Sequence, residues 1–127
     1  MIETSIRPCP LSDLYHILSA PRRCCVIQLL DEDKNDKHTV RELSQEIAAF
    51  EHDISQNNAT GEPYRNVYNA LSQTHLRTMA NLELIEYDQR RQCVRPNQDL
   101  RLAALILEYN HFSYFMYENL INDHNPV

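Results

Sequence analysis

Apolar and polar residues alternate along this chain mostly with a helical period. In "LSDLYHILSAPRR", Leu14, Ile17 and Leu18 recur at i, i+3 and i+4, with Ser12 as the expected N-cap of a short amphipathic helix. The ten residues before it hold two prolines and no pattern, so they read as a loose arm. Pro21 suits the first turn of a second helix, where its missing N–H costs nothing, and Val26, Ile27 and Leu30 form that helix's buried face. "DEDKNDK" (31–37) reads as a solvated loop.

"TVRELSQEIAAF" carries the clearest helix signal. Thr39 and Glu42 form a T-x-x-E capping box, and Val40, Leu43, Ile47 and Phe50 line up as one apolar stripe. Residues 51–63 are polar, hold the only glycine and read as a loop with room for a turn of helix. A helical pattern returns from Tyr64 to Asn81, with Val67, Leu71, Met79 and Leu82 facing the core. "LIEY" (84–87) and "QCVR" (92–95) alternate like paired strands around the turn "DQRR", and Pro96 ends the hairpin.

The last segment, from 99 to about 123, reads as one long helix. Leu102, Leu105, Tyr109, Phe112, Met116 and Leu120 repeat at three- and four-residue steps, while Ala103, Ala104, Ile106, Leu107, Tyr114, Phe115 and Tyr117 widen the apolar surface to almost two faces. A terminal helix on a small monomer needs one buried face. The pattern therefore predicts that one side packs on its own domain and that the six-residue stripe meets a second chain.

Composition narrows the picture. A chain of 127 residues suits one domain, and a single glycine argues against a Gly-rich phosphate loop or a turn-rich β-sandwich. The formal net charge is −6, yet residues 64–95 hold five arginines against three acids and net +2. Arginine outnumbers lysine amid surplus acid, a composition expected of a salt-loving organism. No segment reads as a signal peptide and no apolar run approaches the ~18 residues of a membrane span, so the chain is expected to be cytoplasmic. Cys9, Cys24, Cys25 and Cys93 then read as free thiols, none of them in a CxxC pair.

The expected order is three helices, a loop, a helix, a hairpin and a long helix. It amounts to a mainly α chain with a small β-hairpin, arranged as a winged helix-turn-helix with a C-terminal dimerisation helix. The boundaries are an arm (1–10), a winged domain (11–96) and the dimerisation helix (97–127). The residues also resemble a family. "ILSAPRRCCVIQLL" is similar to the opening helices of ArsR-like regulators, "TVRELSQEI" to the first helix of their helix-turn-helix, and "YRNVYNALSQTHLRTMANLELIEYD" to their recognition helix and wing entry. The elements "IAAFE", "QTHL" and "EYD" resemble small haloarchaeal winged-helix proteins of the ArsR/PadR-like type. The resemblance runs over roughly residues 11–95 and departs at the long 51–63 loop and at a short wing without glycine.

What this resemblance implies is a homodimeric transcriptional regulator that binds double-stranded DNA and catalyses nothing. The N-terminal half of the helix from Tyr64 would enter the major groove. Arg65 has the fork for guanine, and Asn69 and Gln73 have amides for adenine. Tyr64, Tyr68 and Ser72 would bond phosphates, and Arg90 and Arg91 at the wing tip would reach backbone or minor groove. A chain this acidic gains little from counterion release and would lean on shape, base contacts and dimer geometry.

Two alternatives share the fold: a protein-interaction module without DNA contact, and a regulator responsive to thiol oxidation or metal. Glu108 and His111 have E-x-x-H spacing but lack the second such pair and facing glutamates that a di-metal bundle needs. His75 reads as a packing and hydrogen-bonding residue. No cofactor, metal site or small-molecule ligand is indicated by any motif.

Overall fold

The computed structural model of the chain describes residues 10–33 and 36–123. Helix α1 (Pro10–Leu18) starts two residues before the expected cap, so Ser12 lies inside it, and the rest of the expected arm lies outside the described residues. Leu14 and Ile17 are buried. Helix α2 (Pro21–Glu32) has its proline in the first turn and buries Val26, Ile27 and Leu30, as their spacing predicts. Strand β1 (His38–Thr39) leads into α3 (Val40–His52), where the Thr39 hydroxyl accepts the Glu42 N–H at 3.1 Å.

Three residues of the apolar stripe of α3 are buried, but Phe50 is 78% exposed. At 100° per residue the stripe drifts, and Ser44 and Ala48 sit nearer the centre of the buried face than Phe50 does. The connection to the next helix, 53–61, is shorter than expected because α3 runs on to His52. It contains a 3₁₀ turn (Gln56–Asn58) and is pinned by Ala59, which is fully buried.

The next helix has three parts: α4 (Glu62–Ala70), a π-helical turn (Leu71–His75) and α5 (Leu76–Asn81). Val67, Leu71, Leu76 and Met79 are fully buried, whereas Leu82 is only half-buried. Leu71 and Leu76 are five residues apart, which on an α-helix places them about 140° from each other. The π turn, in which the Leu76 N–H bonds the Leu71 carbonyl, returns both to one face. Beyond α5 the chain turns at Glu83 (φ 63°), with Leu84 N–H on the Met79 carbonyl and Glu83 N–H on that of Ala80, a Schellman cap.

Strands β2 (Ile85–Asp88) and β3 (Cys93–Pro96) lie one residue later than expected, with the turn at 89–92. β1 is the addition that periodicity missed. It pairs antiparallel with β3 (His38 opposite Val94, Thr39 opposite Cys93), giving a three-stranded sheet ordered β1-β3-β2. Helix α6 (Leu100–Asp123) buries Leu100, Ala103, Ala104 and Leu107 against the core, where it meets α1 and α2. Arg101 adds an ion pair with Asp31 at 2.7 Å. From Glu108 to Asn122 every residue of α6 is exposed. The result is the expected mainly helical fold with a small sheet and a long C-terminal helix.

Candidate nucleic-acid interface

Two elements of opposite origin converge here. α4 is started by Gly61 (φ 70°), whose conformation suits glycine, with Pro63 in the first turn. Burial of Val67 and Leu71 turns the rest of the first two turns outward. Arg65, Asn69 and Gln73 are exposed along that face, and Tyr64, Tyr68 and Ser72 flank it half-buried. All six expected recognition-helix residues thus share the outer side of one helix.

The flanking hydroxyls differ in what they can offer. Tyr64 and Tyr68 pair with ring centroids 5.7 Å apart. Burial pushes the Tyr64 phenol above its ordinary pKa, aided by Tyr68 and opposed by Arg41. It therefore stays a proton donor at neutral pH, as a phosphate contact needs. The Ser72 hydroxyl is already committed to the Tyr68 carbonyl at 2.8 Å, which leaves it lone pairs but no free proton.

The wing turn places Arg90 and Arg91 at its exposed tip. Arg91 N–H bonds the Asp88 carboxylate at 3.1 Å, and its guanidinium lies 4.0 Å from the same group. Among the described residues no carboxylate lies within ion-pair distance of Arg41, Arg65, Arg77, Arg90 or Arg95. Two further arginines are paired with acids, Arg22 with Glu51 at 2.7 Å and Arg101 with Asp31, while Arg23 donates to His75 and to the His16 carbonyl. Of the five, Arg41 lies at the α3 start, Arg65 and Arg77 on the α4–α5 helix, and Arg90 and Arg95 on the hairpin. The wing's outer face is mixed, since Glu86 stands opposite Arg95, and Lys37, Glu86, Asp88, Arg91, Cys93 and Arg95 line one hollow.

Arg41 was missed by pattern reading. It sits in the first turn of α3 and acts electrostatically on Tyr64, so α3 adds a cation beside α4. Its position directly after the capping Thr39 and Val40 was visible, but nothing local ties that turn to Tyr64.

A family model described as a domain of unknown function (DUF7344) matches residues 15–95. The chain belongs to the DUF7344 family. The matched DUF7344 segment runs from within α1 to β3 and so includes both the α4–α5 helix and the wing, while α6 lies beyond it. No curated protein and no solved structure matches the chain.

Burial raises the pKa of the Cys24 and Cys25 thiols, and each is also pushed up by a neighbouring group that carries negative charge when ionised. A raised thiol is a poor nucleophile at neutral pH. Cys93 donates weakly to the Arg91 carbonyl, and Cys9 lies outside the described residues. Among the described residues no cluster of His, Cys, Asp and Glu is arranged to hold a metal ion. His75 accepts from Arg23 Nε at 2.9 Å, so its ring proton sits on Nε2. Burial lowers its pKa, with Arg23 and Arg22 adding to the effect. No helix among the described residues is long and apolar enough to cross a membrane.

Proposed function

We propose that this chain is a cytoplasmic, homodimeric transcriptional regulator of the ArsR/PadR-like type that binds duplex DNA and catalyses no reaction. The observation that carries the reading is the outer face of α4, where exposed Arg65, with no carboxylate within ion-pair distance among the described residues, stands with Asn69, Gln73, Tyr64 and Tyr68 and with Arg41 acting on Tyr64. Arg65 reads guanine through its planar fork, and the two amides read adenine. Tyr64, Tyr68 and Arg41 hold phosphates, and Arg90 and Arg91 hold the backbone or minor groove beyond. The stripe Leu102, Leu105, Tyr109, Phe112, Met116 and Leu120 joins two copies, so that two α4 helices meet successive half-sites about one helical turn apart. All six stripe residues are between 45% and 71% exposed in the single chain.

The test is a gel shift on duplexes selected from a random pool. Replacing Arg65, Asn69 and Arg90 together by alanine should abolish the shift while leaving the fold intact by circular dichroism. A wild-type protein that selects no duplex at all would refute the reading. One observation favours a protein-interaction module instead: Phe50 stands over a groove lined by Cys25, Leu29, Glu32, Glu46 and Ile47, on α2 and α3. In that case the triple variant keeps its partner and the wild type shows no preference among DNA sequences.

A further inference from the structure

Gln92 combines two locally unfavourable features. Its φ is 53°, in the left-handed region that L side chains with a Cβ avoid, and its Oε1 is buried without a hydrogen bond among the described residues. Glycine at this position would remove both. Residues that break local rules in this way concentrate where function holds them.

Its bonds show what is held. The Gln92 carbonyl accepts the Val40 N–H at 3.0 Å, tying the wing to the first turn of α3. Its amide nitrogen donates to the Gln89 carbonyl at 2.7 Å and to the Tyr87 hydroxyl at 3.0 Å. That geometry fixes which end of the amide is nitrogen, because a flipped Oε1 would face a carbonyl oxygen. The Tyr87 hydroxyl, its proton free, donates onward to the Ser72 carbonyl at 3.4 Å. In an α-helix that carbonyl would accept the Leu76 N–H, but the π turn sends this N–H to Leu71 instead. The irregular turn thus presents Ser72 to the wing.

We propose that Gln92 and Tyr87 are positioning residues that lock the wing to the middle of the α4–α5 helix and to the start of α3, and so fix where Arg90 and Arg91 stand relative to Arg65 and Asn69. The role rests on the DNA-binding reading above. The lock is a directed chain of donors, amide to hydroxyl to carbonyl, in which each bond polarises the next. Without it, the turn loses its side-chain bonds to the helix, and the base of the hairpin keeps the packing of Ile85, Tyr87 and Val94. The guanidinium groups then reach the duplex from many wing angles, and ordering them on binding consumes affinity.

Gln92→Gly keeps the backbone conformation and the Val40 bond but removes the amide, and Tyr87→Phe keeps the ring but removes the hydroxyl. In full-length protein free of DNA, both variants should speed hydrogen exchange at the backbone amides of residues 89–92 by about tenfold, with exchange at Val26 and Ile27 unchanged. The melting temperature of Gln92→Gly should be equal to or above that of the wild type, which a merely structural role for the side chain does not predict. On a duplex selected by the wild type, both variants should bind about tenfold more weakly and lose hydroxyl-radical protection under the wing, while keeping it under α4. Wild-type exchange rates in both variants, or a wild-type footprint and affinity in both, would overturn the positioning role alone. A wild type that selects no duplex would remove the DNA-binding reading and this role together.

Discussion

Phe112 and Met116 lie on the outer stripe of α6, 61% and 45% exposed in the single chain. Fully burying such side chains contributes about 1.5–3 kcal/mol each, so covering the exposed fraction is worth about 1–1.5 kcal/mol per residue. A symmetric pair carries each residue twice, so replacing both by alanine removes about 4–6 kcal/mol, or roughly 10³- to 10⁴-fold in dissociation constant. Alanine preserves helix propensity. Both lie on the stretch of α6 where every residue is exposed, so the stability of one chain should move by no more than about 0.5 kcal/mol. Sedimentation equilibrium across micromolar concentrations reads the association, and chemical denaturation reads the fold. Phe50→Ala is the control: it removes the most exposed of these large side chains from another element and should leave association within about threefold. A wild-type protein that stays monomeric throughout, or a double variant that associates like the wild type, would refute the reasoning.

Leu76→Ala should destabilise the chain by about 2–5 kcal/mol in urea titration, because its side chain is fully buried behind the π turn. His75 has a depressed pKa in the fold, so the unfolded chain binds the extra proton first; stability is complete above about pH 6.5 and falls as pH drops below it. His75→Gln retains an acceptor for Arg23 and should flatten that part of the stability profile in melts followed from pH 5 to 8. Glu83→Gly should raise stability by about 1 kcal/mol, since φ at this cap is 63° and glycine adopts it without a Cβ clash.

Much of this molecule was written locally. The Thr39 cap, Pro21 and the apolar spacings of α1, α2 and α6 act within one or two helical turns, so the residues themselves set those helices. The outward set Arg65, Asn69 and Gln73 was legible for the same reason: Val67 and Leu71 fix which side of α4 faces in. Only packing decided the rest. The π turn exists because Leu71 and Leu76 both belong to the core although a regular period separates them, and a reading at constant period passed over Leu76. β1 is two residues long and has no alternation of its own; β3 makes it a strand. Phe50 fell outside because the exact centre of a buried stripe depends on what it packs against. Gln92 and Tyr87 are ordinary polar residues in sequence, and their joint to Ser72 spans elements that meet only when the chain has folded.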